Sequence, residues 1–229
     1  MKTKLAVAVA AAIAAGGALT AQAHEAGDII VRAGIVNVDP SGNSESIVLP
    51  TEPATVLPGG VDVDDDTQLS IIGTWMVTDK WGLELLAATP FEHDISQPDL
   101  GIDAGSTKHL PPTLSLQYYP RGGSDGWQPY VGIGVNYTYF FDEDIDPALG
   151  DALGAVLGAT SAQLELEDSF GLAGQVGVDI PLNDNWMLNA GVWYIDIGTT
   201  ADVRTDVGTV SFDVDIDPWV YNVGIAYKF

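Results

Sequence analysis

The chain has 229 residues, no cysteine and a formal net charge of −24. Without thiols, disulfide, thiolate-metal and cysteine-nucleophile chemistry are excluded, and the acid excess makes nucleic acid a poor partner because phosphate is repelled. That excess reads most simply as solvated loops; the sharper alternative is an anionic rim that gathers cations or repels anions at a pore mouth.

Lys2 and Lys4 precede an apolar, alanine-rich run over residues 5–19 that ends in Ala21-Gln22-Ala23. A basic start, a short apolar stretch and a small-residue end predict a signal peptide over residues 1–23, cleaved before His24. A membrane anchor is the alternative, and the missing basic stop-transfer flank argues against it. Export leaves about 205 residues, enough for one sizeable β domain over residues 24–229 and too few for two ordinary ones. No later stretch approaches the roughly 20 apolar residues of a membrane helix, so a mature chain that spans a bilayer does so as a barrel.

Apolar alternation then recurs in segments of about ten residues, the length of a tilted membrane strand. The first, from Asp28 to Val36, opposes Ile29, Val31, Ala33 and Ile35 to Arg32 and Gly34. The second runs from Thr67 to Thr78, with Leu69, Ile71, Gly73, Trp75 and Val77 on one face. A tight connection at Asp79-Lys80 leads to the third, Trp81 to Thr89. The fourth covers Pro112 to Tyr119; after the breaker cluster from Pro120 to Gly126, the fifth runs from Trp127 to Phe140. The sixth is Ser169 to Ile180, the seventh follows the turn at Asn183-Asp184-Asn185 and spans Trp186 to Ile197, and the last runs from Asp217 to Phe229.

The connections alternate long and short, with the short ones centred on Asp79, Gly123 and Asp184. Eight strands with this rhythm predict an all-β fold: an antiparallel eight-stranded transmembrane β-barrel with long external loops and periplasmic termini. Trp75, Trp81, Tyr118, Tyr119, Trp127, Trp186, Trp219 and Tyr227 stand at strand ends, as interfacial aromatic girdles require. The third long connection, Asp142 to Glu167, holds Pro147 to Leu157, whose spacing predicts a short helix. The first, Asn37 to Asp66, is rich in Pro, Gly, Ser and Asp and is expected to be mobile.

Chemistry-bearing groups are sparse. His93 and His109 fall in the second long loop region, separated by too many residues for a diagnostic metal spacing. The acidic run Asp62, Asp64, Asp65 and Asp66 lacks the glycine and terminal glutamate of a calcium loop and reads as a solvated segment. No Gly-x-Ser-x-Gly motif appears and no serine stands in a recognisable relation to histidine, so no enzyme, metal or cofactor is expected. Attention therefore falls on the lumen, which in a barrel of about eight strands is nearly filled by side chains. Met76, Leu86, Trp193 and Ile195 fall on its inward face beside small residues such as Gly132, Gly134 and Gly177. Such a lumen holds or passes a narrow hydrophobic molecule, or is packed shut; the residues alone leave both readings standing.

The blocks from Leu83 to Phe91, Lys108 to Leu114, Gln128 to Thr138 and Asn189 to Ile197 together resemble the OmpW family of outer-membrane proteins. The resemblance runs from the first mature strand to Phe229. It implies a narrow barrel with a hydrophobic channel that passively admits small apolar compounds and releases them sideways into the membrane, and it implies a lumen or gate role for Trp193. A terminal Phe229 on an alternating strand resembles the signal read by the barrel-assembly machinery. The partners so implied are outer-membrane lipids, small hydrophobic solutes and, during biogenesis, that machinery and periplasmic chaperones. The alternative function is a structural or surface-interaction barrel whose loops bind without transport; the long, acidic first loop is the least typical feature.

Overall fold

In the computed structural model, which describes residues 24–229, the chain is almost entirely β-strand. The expected signal peptide over residues 1–23 lies outside the described residues. In chain order the elements are β1 (Ile29–Asp39), β2 (Ile47–Leu49), β3 (Thr55–Leu57), β4 (Asp62–Val63), β5 (Asp66–Thr78), β6 (Trp81–Ala88), β7 (Phe91–Gln97), β8 (Ile102–Leu110), β9 (Thr113–Tyr118) and β10 (Gln128–Ile145). They continue with helix α1 (Pro147–Leu157), β11 (Ala162–Leu166), β12 (Ser169–Pro181), β13 (Trp186–Ile195), β14 (Gly198–Thr205), β15 (Gly208–Asp215) and β16 (Trp219–Lys228).

Eight of these strands close on themselves in the order β12, β13, β16, β1, β5, β6, β9, β10 and back to β12. Every neighbouring pair is antiparallel, and the first and last strands seal the cylinder from Ile30↔Lys228 to Asp39↔Trp219. Closure matters because an unpaired backbone N–H or C=O facing lipid costs several kcal/mol, roughly the value of a lost hydrogen bond in hydrocarbon. The eight expected strands are all present. Their ends differ by a few residues, most at β10, which runs on to Ile145 because its outer part pairs with β8.

Alternation sorts the side chains. Leu69, Ile71, Ile133, Leu172 and Val176 point outward and are exposed, forming an apolar band around the barrel, while Ile72, Thr74, Glu84, Gln117 and Asp179 are buried inside. Trp75, Trp81, Trp127, Trp186 and Trp219 stand on the outer surface as the girdle reading requires. Tyr119 does not: it is fully buried in the lumen, because it follows Tyr118 directly and a strand sends consecutive side chains to opposite faces.

The long connections extend the wall away from the membrane. β7 and β8 form a hairpin that joins β10 on one side and β4 on the other, and β11, β14 and β15 make a separate three-stranded sheet. The expected helix is α1: Asp146 Oδ1 accepts from the Ala148 N–H at its N-terminus, Pro147 occupies the first turn, and Gly158 ends it at φ 74°. The first connection contains regular structure. It folds a hairpin, β2 with β3, and bridges Ser44 to Val214 of β15. Its polar composition conceals Ile47 and Leu49, which are buried against the other loops and contribute enough apolar area to order the segment.

The outward face yields a direct test. Ile133, 73% exposed in the middle of β10, faces the hydrocarbon. Ile133→Lys is expected to cost about 2–4 kcal/mol in lipid, read as a lowered unfolding midpoint in vesicles.

Candidate functional site: the barrel lumen and the cavity above it

The lumen is layered. At the periplasmic end Ile30, Met76, Tyr119, Tyr130, Met187 and Ala226 pack as a small buried cluster. Directly associated with it is a charged network centred on Arg32 of β1. Its guanidinium holds Asp179 of β12 in a bidentate pair, Nε to Oδ1 at 3.0 Å and Nη2 to Oδ2 at 2.7 Å. Nη2 also donates to the Tyr119 hydroxyl at 3.0 Å, and Nη1 donates to Thr74 Oγ1 and, at 3.4 Å, to Glu84 Oε2. Glu84 in turn accepts from the Gln117 amide and, at 3.0 Å, from Gln175 Nε2. Asn189 donates to Asp179 Oδ1 at 2.8 Å and to the Tyr130 hydroxyl at 3.0 Å, and the His24 imidazole lies 3.3 Å from Asp179 Oδ2.

Seven strands thus contribute to one knot of polar groups with almost no exposed surface. It blocks straight passage of an apolar molecule, which cannot replace these hydrogen bonds. Two glycines permit the packing. A Cβ at Gly177 would collide with the Tyr130 ring, and one at Gly191 would lie 2.6 Å from Trp193 Cη2, so these bare positions accommodate the two large rings.

Above the knot the lumen becomes apolar. Trp193, Ile195 and Leu86 are buried there with Val36, Ile72 and Val220, and the same cluster continues into Phe91, Phe140 and the loop residues. Three of the four inward-facing candidates therefore share one layer. Met76 lies apart, in the cluster at the periplasmic floor. The Trp193 indole N–H is buried with no hydrogen-bond partner among the described residues. Phe229 sits at the outer surface, its N–H donating to Ile29 O at 2.9 Å and its ring edge-on to Tyr227.

A cavity of about 170 Å³ stands above this layer, enclosed by all four long connections. Its walls are almost wholly apolar: Leu49 and Leu57 from the first, Ile95 from β7, Leu149 and Leu153 from α1, and Val203, Val210 and Phe212 from the β14–β15 hairpin. None of the four lumen candidates lines it; Trp193, Ile195 and Leu86 form the packed layer beneath. Alternation along β14 and β15 was available to indicate these wall residues, but which loops converge was not.

The wall beside this layer is interrupted. Paired residues between β6 and β9 stop at Leu86↔Thr113, and pairing resumes between β7 and β8 at Phe91↔His109. Between them residues 87–90 and 110–112 have no registered pair with each other, although Ala87 and Ala88 still pair with β5 and Leu110 with β10, and Pro90, Pro111 and Pro112 have no N–H to donate.

His93 and His109 are closer than their separation in sequence indicated. The β7–β8 hairpin stacks their rings 4.8 Å apart, at an interplanar angle of 11°, between Phe91 and Phe140. No group of three or more potential metal ligands forms among the described residues. Burial pushes both imidazoles below the usual histidine range, His109 to about 3, where the neighbouring His93 ring adds to the shift; Asp66 opposes it at both rings.

An eight-stranded barrel with an apolar belt, a charged internal knot and long strands on one side is a small outer-membrane β-barrel protein. The OmpW family model matches residues 25–229, and the chain belongs to that family. It is 45% identical to outer membrane protein W of Vibrio cholerae over 211 residues, which cover 90% of this chain and 91% of that one. The crystal structure of OprG from Pseudomonas aeruginosa matches with a TM-score of 0.80 and 46% identity, covering 91% of this chain and 99% of OprG. The solid-state NMR structure of AlkL in lipid bilayers shares the fold, with a TM-score of 0.67, 23% identity and coverage of 93% and 95%. The protein is placed in the outer membrane accordingly.

Two outcomes test the site. Arg32→Met leaves Asp179 and Glu84 buried without their cation and is expected to destabilise the barrel by about 3–5 kcal/mol, measured by denaturant unfolding in lipid. The second concerns acid. An exposed imidazole binds a proton near 6.5 but buried His109 only near 3, so the opened hairpin binds more protons across that window. Stability of the closed hairpin therefore falls as pH drops through it. Amide protection in β7 and β8, corrected for intrinsic exchange, is expected to be lower at about pH 4 than at about pH 7. His109→Phe weakens that dependence.

Proposed function

We propose that this barrel is a passive outer-membrane channel for small hydrophobic molecules, entering by the apolar cavity and leaving sideways into the membrane. The observation that carries this reading is the order of layers. An apolar cavity rests on an apolar upper lumen, and both end at the Arg32 knot. A solute favoured by the cavity walls gains nothing by crossing buried charges, since displacing their hydrogen bonds costs more than apolar contact returns. The remaining apolar exit is the seam at Leu86, where residues 87–90 and 110–112 form no ladder pair across it.

In this scheme Trp193 and Ile195 floor the path, Leu86 stands at the inner mouth of the seam, and Met76 helps seal the periplasmic end instead of contacting solute. Transport of this kind needs no bond to be made or broken, so the protein acts as a channel and not as an enzyme. Residues 1–23 serve as the export signal, residues 24–229 fold as one barrel domain, and Phe229 on β16 serves as the signal for the barrel-assembly machinery, with periplasmic chaperones carrying the chain there.

The test is entry of a small apolar tracer into cells with matched barrel abundance. Native protein is expected to speed entry over barrel-free cells. Ala201→Phe, which fills the cavity, and Leu86→Asn, which places a polar group at the seam, are expected to slow it. Trp193→Ala, which removes the ring from the upper lumen, is expected to raise it. Rates equal to those of barrel-free cells sink the transport reading and favour a loop-mediated surface role.

A further inference from the structure

The cavity has one polar feature that the layer argument does not use. Phe91 pairs with His109 and His93 with Thr107, so the two histidines are diagonal neighbours on one face of the β7–β8 hairpin, and both line the cavity. Both are almost completely buried, yet three of their four ring nitrogens, His93 Nε2 and both nitrogens of His109, have no hydrogen-bond partner among the described residues. The fourth, His93 Nδ1, is bonded to the Asp64 carbonyl oxygen.

That single bond fixes the chemistry. A carbonyl only accepts, so His93 Nδ1 carries the proton, and in the neutral ring Nε2 is a bare acceptor. Neutral His109 presents one N–H and one lone pair, whichever tautomer it adopts. The two rings therefore carry between them an unmet acceptor and an unmet donor, buried within the cavity wall and not open on its surface. Buried polar groups left in this state cost stability, which makes three of them on two adjacent rings unusual.

We propose that the cavity selects small apolar molecules bearing one neutral hydroxyl, such as phenols or medium-chain alcohols, held between His93 and His109. The hydroxyl donates to His93 Nε2, and its oxygen accepts from the N–H of His109. The ring centroids lie 4.8 Å apart, and the proposal places one oxygen about 2.9 Å from a nitrogen of each ring. A plain hydrocarbon leaves all three nitrogens unmet. A carboxylate meets the negative charge of Asp64, Asp65 and Asp66 beside His93, and an ammonium group cannot accept from His109. The inference rests on the solute-channel reading and narrows its substrate class.

The test compares p-cresol with p-xylene, which differ by a hydroxyl in place of a methyl. Binding is measured to the full barrel in lipid nanodiscs near neutral pH, with partition into empty nanodiscs subtracted. Native protein is expected to bind p-cresol roughly tenfold more tightly. The His93→Phe, His109→Phe double variant is expected to lose that preference while still binding p-xylene. A readout on native protein avoids dependence on the folding of variants: with 15N-labelled histidine, the His93 Nε2 resonance moves on adding p-cresol and stays in place with p-xylene. Equal affinities in native protein, a preference that survives the double variant, or an unmoved His93 resonance overturns the hydroxyl selection alone. Failure of both solutes to bind above empty nanodiscs overturns the channel reading together with it.

Discussion

Everything in this molecule follows from the need to pair every backbone amide inside a solvent that offers no hydrogen bonds. A closed antiparallel sheet meets that need, and its pleat then divides each strand into a lipid face and a lumen face with no freedom to rearrange. Ile71, Ile133 and Leu172 are outside for the same reason that Ile72, Asn136 and Ala173 are inside: a residue cannot change face without slipping the whole register. The apolar belt, the girdle and the contents of the lumen are consequences of one geometric rule.

The rule creates a problem inside the barrel, since eight strands enclose a space too narrow for bulk water and too wide to leave empty. The two ends of the lumen solve it differently. Near the periplasm, Arg32 sits between two carboxylates, with Gln117, Gln175, Asn189 and Tyr119 completing their hydrogen bonds. Charges so enclosed are tolerated because each has partners, and removal of one leaves the rest exposed to the full desolvation penalty. Towards the exterior the lumen is filled by Trp193, Ile195 and Leu86, and the wall strands continue beyond the membrane to surround a cavity. An apolar cavity thus stands over a charged floor, and the proposed sideways path for hydrophobic solutes rests on that order of layers.

The external loops carry more order than their composition indicates. Ile47 and Leu49 are separated from the rest of the cavity wall by many residues and by a run of Pro, Gly and Asp, yet they pack against strands from the fourth connection. The seam at Leu86 arises from local chemistry, because three prolines remove donors where β6 and β9 give way to β7 and β8. Pocket and seam are thus products of opposite influences, long-range packing in one case and a local backbone defect in the other.

Alternation with a period of two, a strand length matched to the bilayer and the rhythm of long and short connections were enough to establish eight strands, their faces and their direction, because these depend only on local geometry and on the membrane. Helix α1 was legible for the same reason, from Pro147 and the apolar spacing behind it. Tyr119 was misplaced among the girdle residues only because its neighbour Tyr118 made the pair look interfacial. The sequence by itself also placed Trp193, Leu86 and Ile195 inside the barrel. It did not show that Met76 lies beneath a charged knot, that Arg32 meets Asp179 across the lumen, or that His93 stacks on His109 above it. Those meetings join residues far apart in the chain, and only barrel closure and the pairing of β7 with β8 bring them together.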